Sequence, residues 1–196
     1  MNYSVVLASA SPRRTMLLDQ MGIAHSVKPV DIDESAFANE TPEAQVARLA
    51  EQKAKTALAR LHDEDALNEN TRVLASDTLI AFNGVSLGKP EDKEDARRIL
   101  SMLSNNEHEV LTAISVASTT KQVTQTITTK VTFAALTNDE IDAYWDTGEP
   151  ADKAGSYAIQ GIGGQFVKAI NGSASAVVGL PLYETRQLLR EFGVVS

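Results

Sequence analysis

The segment Leu7-Ala8-Ser9-Ala10-Ser11-Pro12-Arg13-Arg14 constrains this chain most. Val5 to Ala8 reads as a short buried strand, and a small, hydroxyl-rich turn follows it. Ser11 as N-cap and Pro12 at the first helical position then start a helix that Gly22 ends after Met21. Arg13 and Arg14 stand in the first turn, where the helix dipole favours acidic residues. Two cations there are unfavourable unless an anion joins them. Phosphate fits, because free N–H groups at a helix start and arginine forks present converging donors. The competing reading is a capped surface helix with solvated arginines. Arg14 bears on that choice: it shares helical spacing with Leu17, Leu18 and Met21, which points it toward protein or a cleft.

The remaining elements alternate between strand and helix. His25 to Pro29 reads as a second strand running into the acidic loop Asp31-Ile32-Asp33-Glu34-Ser35. Thr41-Pro42 opens a helix to about Leu61, with Val46, Leu49, Ala50, Ala57 and Leu61 inward and Lys53 on that same face. Glu51 and Lys55 form an exposed i, i+4 pair, and His62 to Thr71 is a polar surface loop. Arg72 to Ala75 reads as a strand delivering Ser76-Asp77-Thr78, and Leu79 to Phe82 continues into an Asn83-Gly84 turn and a returning strand. After Gly88-Lys89-Pro90 comes a helix near Asp92 to Leu103, then two β-rich runs, Val110 to Ala117 and Val123 to Ala134, that pair antiparallel. Thr137 and Glu140 make a capping box for a helix through Trp145. A glycine-rich stretch, Asp152 to Gly164, leads to a strand at Phe166 to Ile170, an Asn171-Gly172 turn and a β run near Ala176-Val177-Val178. Leu182 to Phe192 closes the chain as a helix with Gly193 as C-cap. This pattern predicts an α/β protein with a mixed sheet and no internal repeat.

At 196 residues the chain makes one domain, 1–196, or two closely joined lobes. No run approaches a membrane span, and the N-terminus lacks the zones of a signal peptide. The absence of cysteine excludes disulfides and thiol chemistry and agrees with a cytoplasmic protein. A net charge of −8 argues against a nucleic-acid polymer or membrane as partner, since both need a wide positive field. A small anion needs only a few cations focused in one cleft.

A charge on an apolar stripe is costly unless it has a partner or faces water. Arg14 and Lys53 both meet that description. Either could snorkel to a helix rim, but together with Arg13 and Lys89 they read as one phosphate-binding cluster. Asp77 follows a strand of small and apolar residues, which places it at the strand's end, where α/β proteins put catalytic groups; a turn aspartate is the alternative. Glu34 sits in an acidic loop of the kind that is usually solvated. Beside a phosphate cluster, Asp77 and Glu34 could hold a divalent cation. No G-x-x-x-x-G-K-[ST] loop occurs, and Gly161-Ile162-Gly163-Gly164 lacks the setting of a dinucleotide site. His25, His62 and His108 have no zinc-ligand spacing, and His108 reads as structural.

Read in order, LASASPRR, SDT, GKP, the H-E-V-x-T-A stretch at His108 to Ala113, DKAGSYAIQG and VVGLP closely resemble the Maf family of nucleoside triphosphate pyrophosphatases. The resemblance spans nearly the whole chain. It implies a mixed α/β fold with two lobes around a cleft, related to the inosine triphosphatase type, and a homodimer. It also implies a divalent cation, magnesium or manganese, and hydrolysis between the α- and β-phosphates. Carried over by position, it puts Arg13, Arg14, Lys53 and Lys89 around the triphosphate, makes Asp77 the general base and a metal ligand, and adds Glu34 as a second ligand. At Arg13, Thr78 and Gln160 the chain is similar to the branch acting on dTTP and UTP; Gln160 offers a donor and an acceptor to the imide edge of thymine or uracil. Ala174 departs from the pattern, since relatives often carry an aromatic residue there. Two other readings stand beside this one: a nucleotide-binding regulator of septum formation acting through a protein partner, and an inosine-triphosphatase-like enzyme that removes non-standard purines.

Overall fold

The computed structural model describes residues 3–196. β1 (Ser4–Leu7) passes through the hydroxyl-rich turn into α1 (Pro12–Gln20), and β2 (His25–Val27) lies parallel to β1. The long α2 (Pro42–Asp63) leads to β3 (Thr71–Phe82), which turns at Asn83-Gly84 into β4 (Val85–Leu87). Then come α3 (Lys93–Leu103), β5 (Glu107–Ala117), β6 (Gln122–Phe133) and α4 (Asn138–Asp146). Short 3-10 turns cross the glycine-rich stretch to β7 (Val167–Asn171), and α5 (Ala174–Val178) and α6 (Leu182–Glu191) end the chain. The sheet has seven strands in the order β2-β1-β3-β5-β6-β7, with β4 added to β3. β1 pairs parallel with β2 and β3, and the remaining pairings are antiparallel, so the sheet is mixed.

The long helices form where apolar periodicity and caps agree. Thr41 accepts from Ala44 N, Asp92 from Asp95 N, and Thr137 with Glu140 closes the expected capping box. β3 is the central strand, and its alternation divides the core. Val73 and Ala75 pack against Ala54, Ala57 and Leu61 of α2, whereas Leu74 packs with Leu17 and Leu18 of α1 and with Leu188 and Leu189 of α6. Farther along, Ile80 joins Leu100, Phe133 and Tyr157 in a third cluster. Small residues on the α2 side let that helix approach the sheet closely, and this proximity carries Lys53 to Asp77.

Three expectations are corrected. The Val177-Val178 run is a short helix, because the Ser173 hydroxyl accepts from Ala176 N and Gly179 stops the turn; β-branched residues in so short a segment mislead by composition. Ser11 begins α1 without a side-chain cap, and its own N–H instead donates to Ser9 Oγ at 3.2 Å. Asp77 is not at a strand's end. It lies in the middle of a continuous twelve-residue β3, opposite Ala113 of β5.

Candidate active site

What opens the sheet at Asp77 is the neighbouring strand. On the edge of β3 away from β5, β1 pairs only as far as Leu74, and β4 takes up pairing only at Ile80. Between them the edge from Ala75 to Leu79 has no partner strand. Side chains from both faces of β3 therefore reach one opening, and Asp77 and Thr78 line the same cleft of about 530 Å³.

Arg14 enters this opening from α1. Its Nε donates to the Gly179 carbonyl at 2.9 Å, its Nη1 to Ser9 Oγ at 3.1 Å and its Nη2 to Thr78 Oγ1 at 3.4 Å. Ser76 Oγ donates to the same Gly179 carbonyl at 2.9 Å, fastening the α5–α6 corner to β3. Behind Thr78, its hydroxyl lies 3.1 Å from that of Thr112, which donates to the Ala176 carbonyl at 2.8 Å. The guanidinium is thus held by a polar network drawn from the turn after β1, from β3 and β5, and from α5 and the residue that ends it. Burial pushes its pKa below the ordinary value, while the charge of Asp77 works in the opposite direction.

On the α2 side, Lys53 Nζ lies 2.6 Å from Asp77 Oδ1 and 2.6 Å from Glu34 Oε1. Lys53, expected among the phosphate ligands, is bonded to the two carboxylates, and the cleft lining does not include it. Desolvation raises the Asp77 pKa, and the ammonium of Lys53 opposes that rise. Glu34 and Asp77 both line the cleft, and their convergence on one ammonium shows that two hard oxygen donors meet at a point. Two carboxylates of this kind suit magnesium or manganese when substrate phosphates complete the shell. No cluster of three or more His, Cys, Asp or Glu that could hold a metal ion occurs among the described residues.

Arg13 and Lys89 also line the cleft, with Lys89 exposed at its mouth. Lys153 joins them, paired with Asp152, and residue-level reading assigned it no role although it lies inside DKAGSYAIQG. The Gly155 N–H donates to the Gly88 carbonyl at 3.0 Å, tying the Lys153 turn to the Lys89 loop. Gly155 has φ +68°, and a Cβ there would lie 2.5 Å from Ile80 Cδ1, so a side chain at this position would be strained and would displace Ile80. Ile80, Val110, Ile159 and Val177 form an apolar wall, and Gln160 is exposed at its rim. The turn holding Gln160 is anchored by Glu149, which accepts from Ile162 N and Gly163 N, both at 2.9 Å, and from Tyr144 OH at 2.6 Å. Thr78, expected to bear on base choice, faces Arg14 and Thr112. His108 is buried behind the cleft wall with Nε2 2.9 Å from Tyr157 OH, and Ala174 is exposed at the start of α5.

Among the described residues no helix is long and apolar enough to cross a membrane. A family model described as Maf-like protein matches residues 4–192. The dTTP/UTP pyrophosphatase of Colwellia psychrerythraea is 56% identical over 192 residues, 98% of this chain and 90% of its own length. That of Pseudoalteromonas atlantica is 51% identical over 185 residues, covering 94% and 95%, and that of Vibrio vulnificus 50% over 190 residues, covering 97% and 99%. Among solved structures, the Staphylococcus aureus Ham1 protein aligns with 67% of this chain and 72% of its own at 18% identity and a TM-score of 0.43. With the family match running from β1 to the residue that ends α6, the chain belongs to the Maf-like protein family.

Proposed function

We propose that this protein hydrolyses dTTP and UTP to the nucleoside monophosphate and pyrophosphate. The observation that carries the reading is Asp77, a buried carboxylate set at a gap in the sheet, in a cleft that also holds Arg13, Arg14, Lys89 and Lys153. The names of the relatives support the same activity.

Asp77 Oδ1 is held by Lys53, and Oδ2 makes no hydrogen bond to a described residue. Oδ2 is the atom that takes a proton from water as the water oxygen attacks the α-phosphorus. The bond from that phosphorus to the bridging oxygen of the β-phosphate breaks, and its electron pair leaves with pyrophosphate. A carboxylate whose pKa is raised by burial is a stronger base than one in water. Lys53 keeps Asp77 ionised before attack and fixes its rotamer. Arg14, locked through Nε, Nη1 and Nη2, has the rigidity needed to meet charge developing on the phosphates, and Arg13, Lys89 and Lys153 add charge at the mouth. Glu34 and Asp77 are the residues that would hold a divalent cation, which when bound would supply neutralisation of phosphate charge.

The apolar wall suits a planar base, and Gln160 at the rim can both donate to and accept from an imide edge. Incubation with dTTP, UTP, CTP and GTP, with products resolved as monophosphate plus pyrophosphate or diphosphate plus phosphate, tests reaction and base together. The expected result is monophosphate and pyrophosphate, fastest from dTTP and UTP. Release of phosphate, or a purine preference, rejects the reading.

A further inference from the structure

We propose that Arg48 of α2, outside the cleft lining, is a positioning residue that holds Glu34 against Lys53 and thereby sets the affinity for the divalent cation. The proposal rests on the reading of Glu34 as a ligand given above.

Glu34 is in an unusual position for a functional carboxylate. Residues 28–41 contain no helix or strand, and past Lys28, whose N–H donates to the Leu7 carbonyl of β1, no sheet hydrogen bond fixes the backbone that carries it. Its side chain is 58% exposed, yet Oε1 is 2.6 Å from an ammonium that is itself only 12% exposed. An exposed side chain on an irregular loop loses conformational freedom when held in one place, and a lone exposed ion pair gives little in return. Something else must hold the loop.

The restraint comes from α2, at Glu34 itself and at the residue after it. Gln45 Nε2 donates to the Glu34 carbonyl at 3.3 Å, and Arg48 Nη2 donates to the Ser35 carbonyl at 2.9 Å. Arg48 is fixed in turn by a two-pronged pairing with Glu40, Nε to Oε1 at 2.6 Å and Nη2 to Oε2 at 2.8 Å. Its guanidinium carbon lies 3.9 Å from the centre of the Phe37 ring, and Phe37 N donates to Glu40 Oε2 at 3.0 Å. One guanidinium thus ties Ser35 to the turn of Phe37 and Glu40, two parts of the loop that no hydrogen bond between them joins. With side-chain exposures of 15% and 9%, Arg48 and Glu40 are shielded enough for the pairing to matter. A lysine has neither the fork nor the flat face, so it cannot replace Arg48.

A purely structural tie would stabilise the loop without acting through Glu34, and a double-mutant cycle separates the two. The variants are Arg48→Met, Glu40→Gln, Glu34→Gln and the Arg48→Met/Glu34→Gln double. Mn²⁺ binding is titrated by electron paramagnetic resonance on each protein with a non-hydrolysable α,β-imido dUTP, alongside kcat and thermal unfolding. Arg48→Met and Glu40→Gln are each expected to weaken Mn²⁺ binding about tenfold. Arg48→Met is expected to weaken it no further once Glu34 is glutamine. Glu40→Gln loosens the clamp from the loop side and serves if Arg48→Met does not fold. Wild-type Mn²⁺ affinity in both clamp variants, or full additivity in the double variant, overturns the positioning role while leaving Glu34 as a ligand. Unchanged Mn²⁺ binding in Glu34→Gln alone removes Glu34 from the metal site and the proposal with it.

Discussion

Lys53 Nζ sits 2.6 Å from Asp77 Oδ1, joining a helix to the middle of the central strand where one edge of that strand, between the pairings with β1 and β4, lacks a neighbour. The pair is nearly buried, with side chains 12% and 9% exposed. Removing one partner of such a pair costs more than the pair contributes, because the other is left charged in a poorly solvated place. Lys53→Met is therefore expected to lower stability by about 2 to 4 kcal/mol at pH 7. At pH 4 the loss shrinks, because Asp77, already raised in pKa and now without its cation, takes up a proton and is buried neutral. Urea unfolding of both proteins at the two pH values checks this.

Asp77→Asn keeps the shape of the side chain and removes its basicity. Turnover of dTTP is expected to fall by roughly 10²- to 10⁴-fold, the usual worth of a positioned general base. Calorimetry with a non-hydrolysable analogue should show triphosphate binding within a few-fold of wild type. Wild-type turnover in this variant excludes Asp77 as the base.

Ser9 is a small residue with a specific geometric task, since its Oγ accepts from Arg14 Nη1 and from Ser11 N. Ser9→Ala leaves both donors short of a partner and lets the guanidinium swing. A rise in KM of about tenfold is expected, equivalent to roughly 1.4 kcal/mol, with unfolding little changed. Steady-state kinetics and a thermal melt separate this from a general loss of fold.

Lys153 belongs to the cleft through tertiary contact. Lys153→Met is expected to raise KM for the triphosphate several-fold and to leave the reaction's products unchanged, because a lysine at the mouth adds charge without touching the attacking water. A salt titration adds a check: the defect should narrow as ionic strength rises.

His108 predicts a pH dependence of stability. Burial pushes the imidazole down to about 4, so the native state keeps it neutral while the unfolded chain protonates near its ordinary value of 6.5. Its depressed pKa means that stability is full above about pH 6.5 and is lost as pH falls toward 4, by at most roughly 3 kcal/mol. Below that both states are protonated and the loss stops growing. His108→Gln can keep a hydrogen bond to Tyr157 OH and does not titrate, so its urea midpoint should lack this component between pH 7 and pH 4.

Much of the backbone was legible before folding. Strong periodicity and caps located α2, α3 and α4, and the Asn83-Gly84 turn between β3 and β4 followed from residue type. The signal was weakest where elements are shortest, as at α5, because five residues carry too little periodicity to outweigh the β-branched composition of Val177-Val178.

By itself the sequence determined the strand-to-helix turn that presents Arg13 and Arg14, the inward placing of Arg14 and Lys53, and, through motif order, the family. Local spacing carries that information, since it depends only on which face of a helix or strand a residue occupies. Tertiary structure alone decided what those side chains touch. Lys53 meets Asp77 rather than solvent, Arg14 meets Gly179 from 165 residues away, and Arg48 clamps the loop of Glu34. It also decided that Asp77 is reachable from mid-strand. β1 ends at Leu7, opposite Leu74, and β4 pairs with β3 only from Ile80 onward, and the lengths of separate strands leave the gap that no pattern within β3 records.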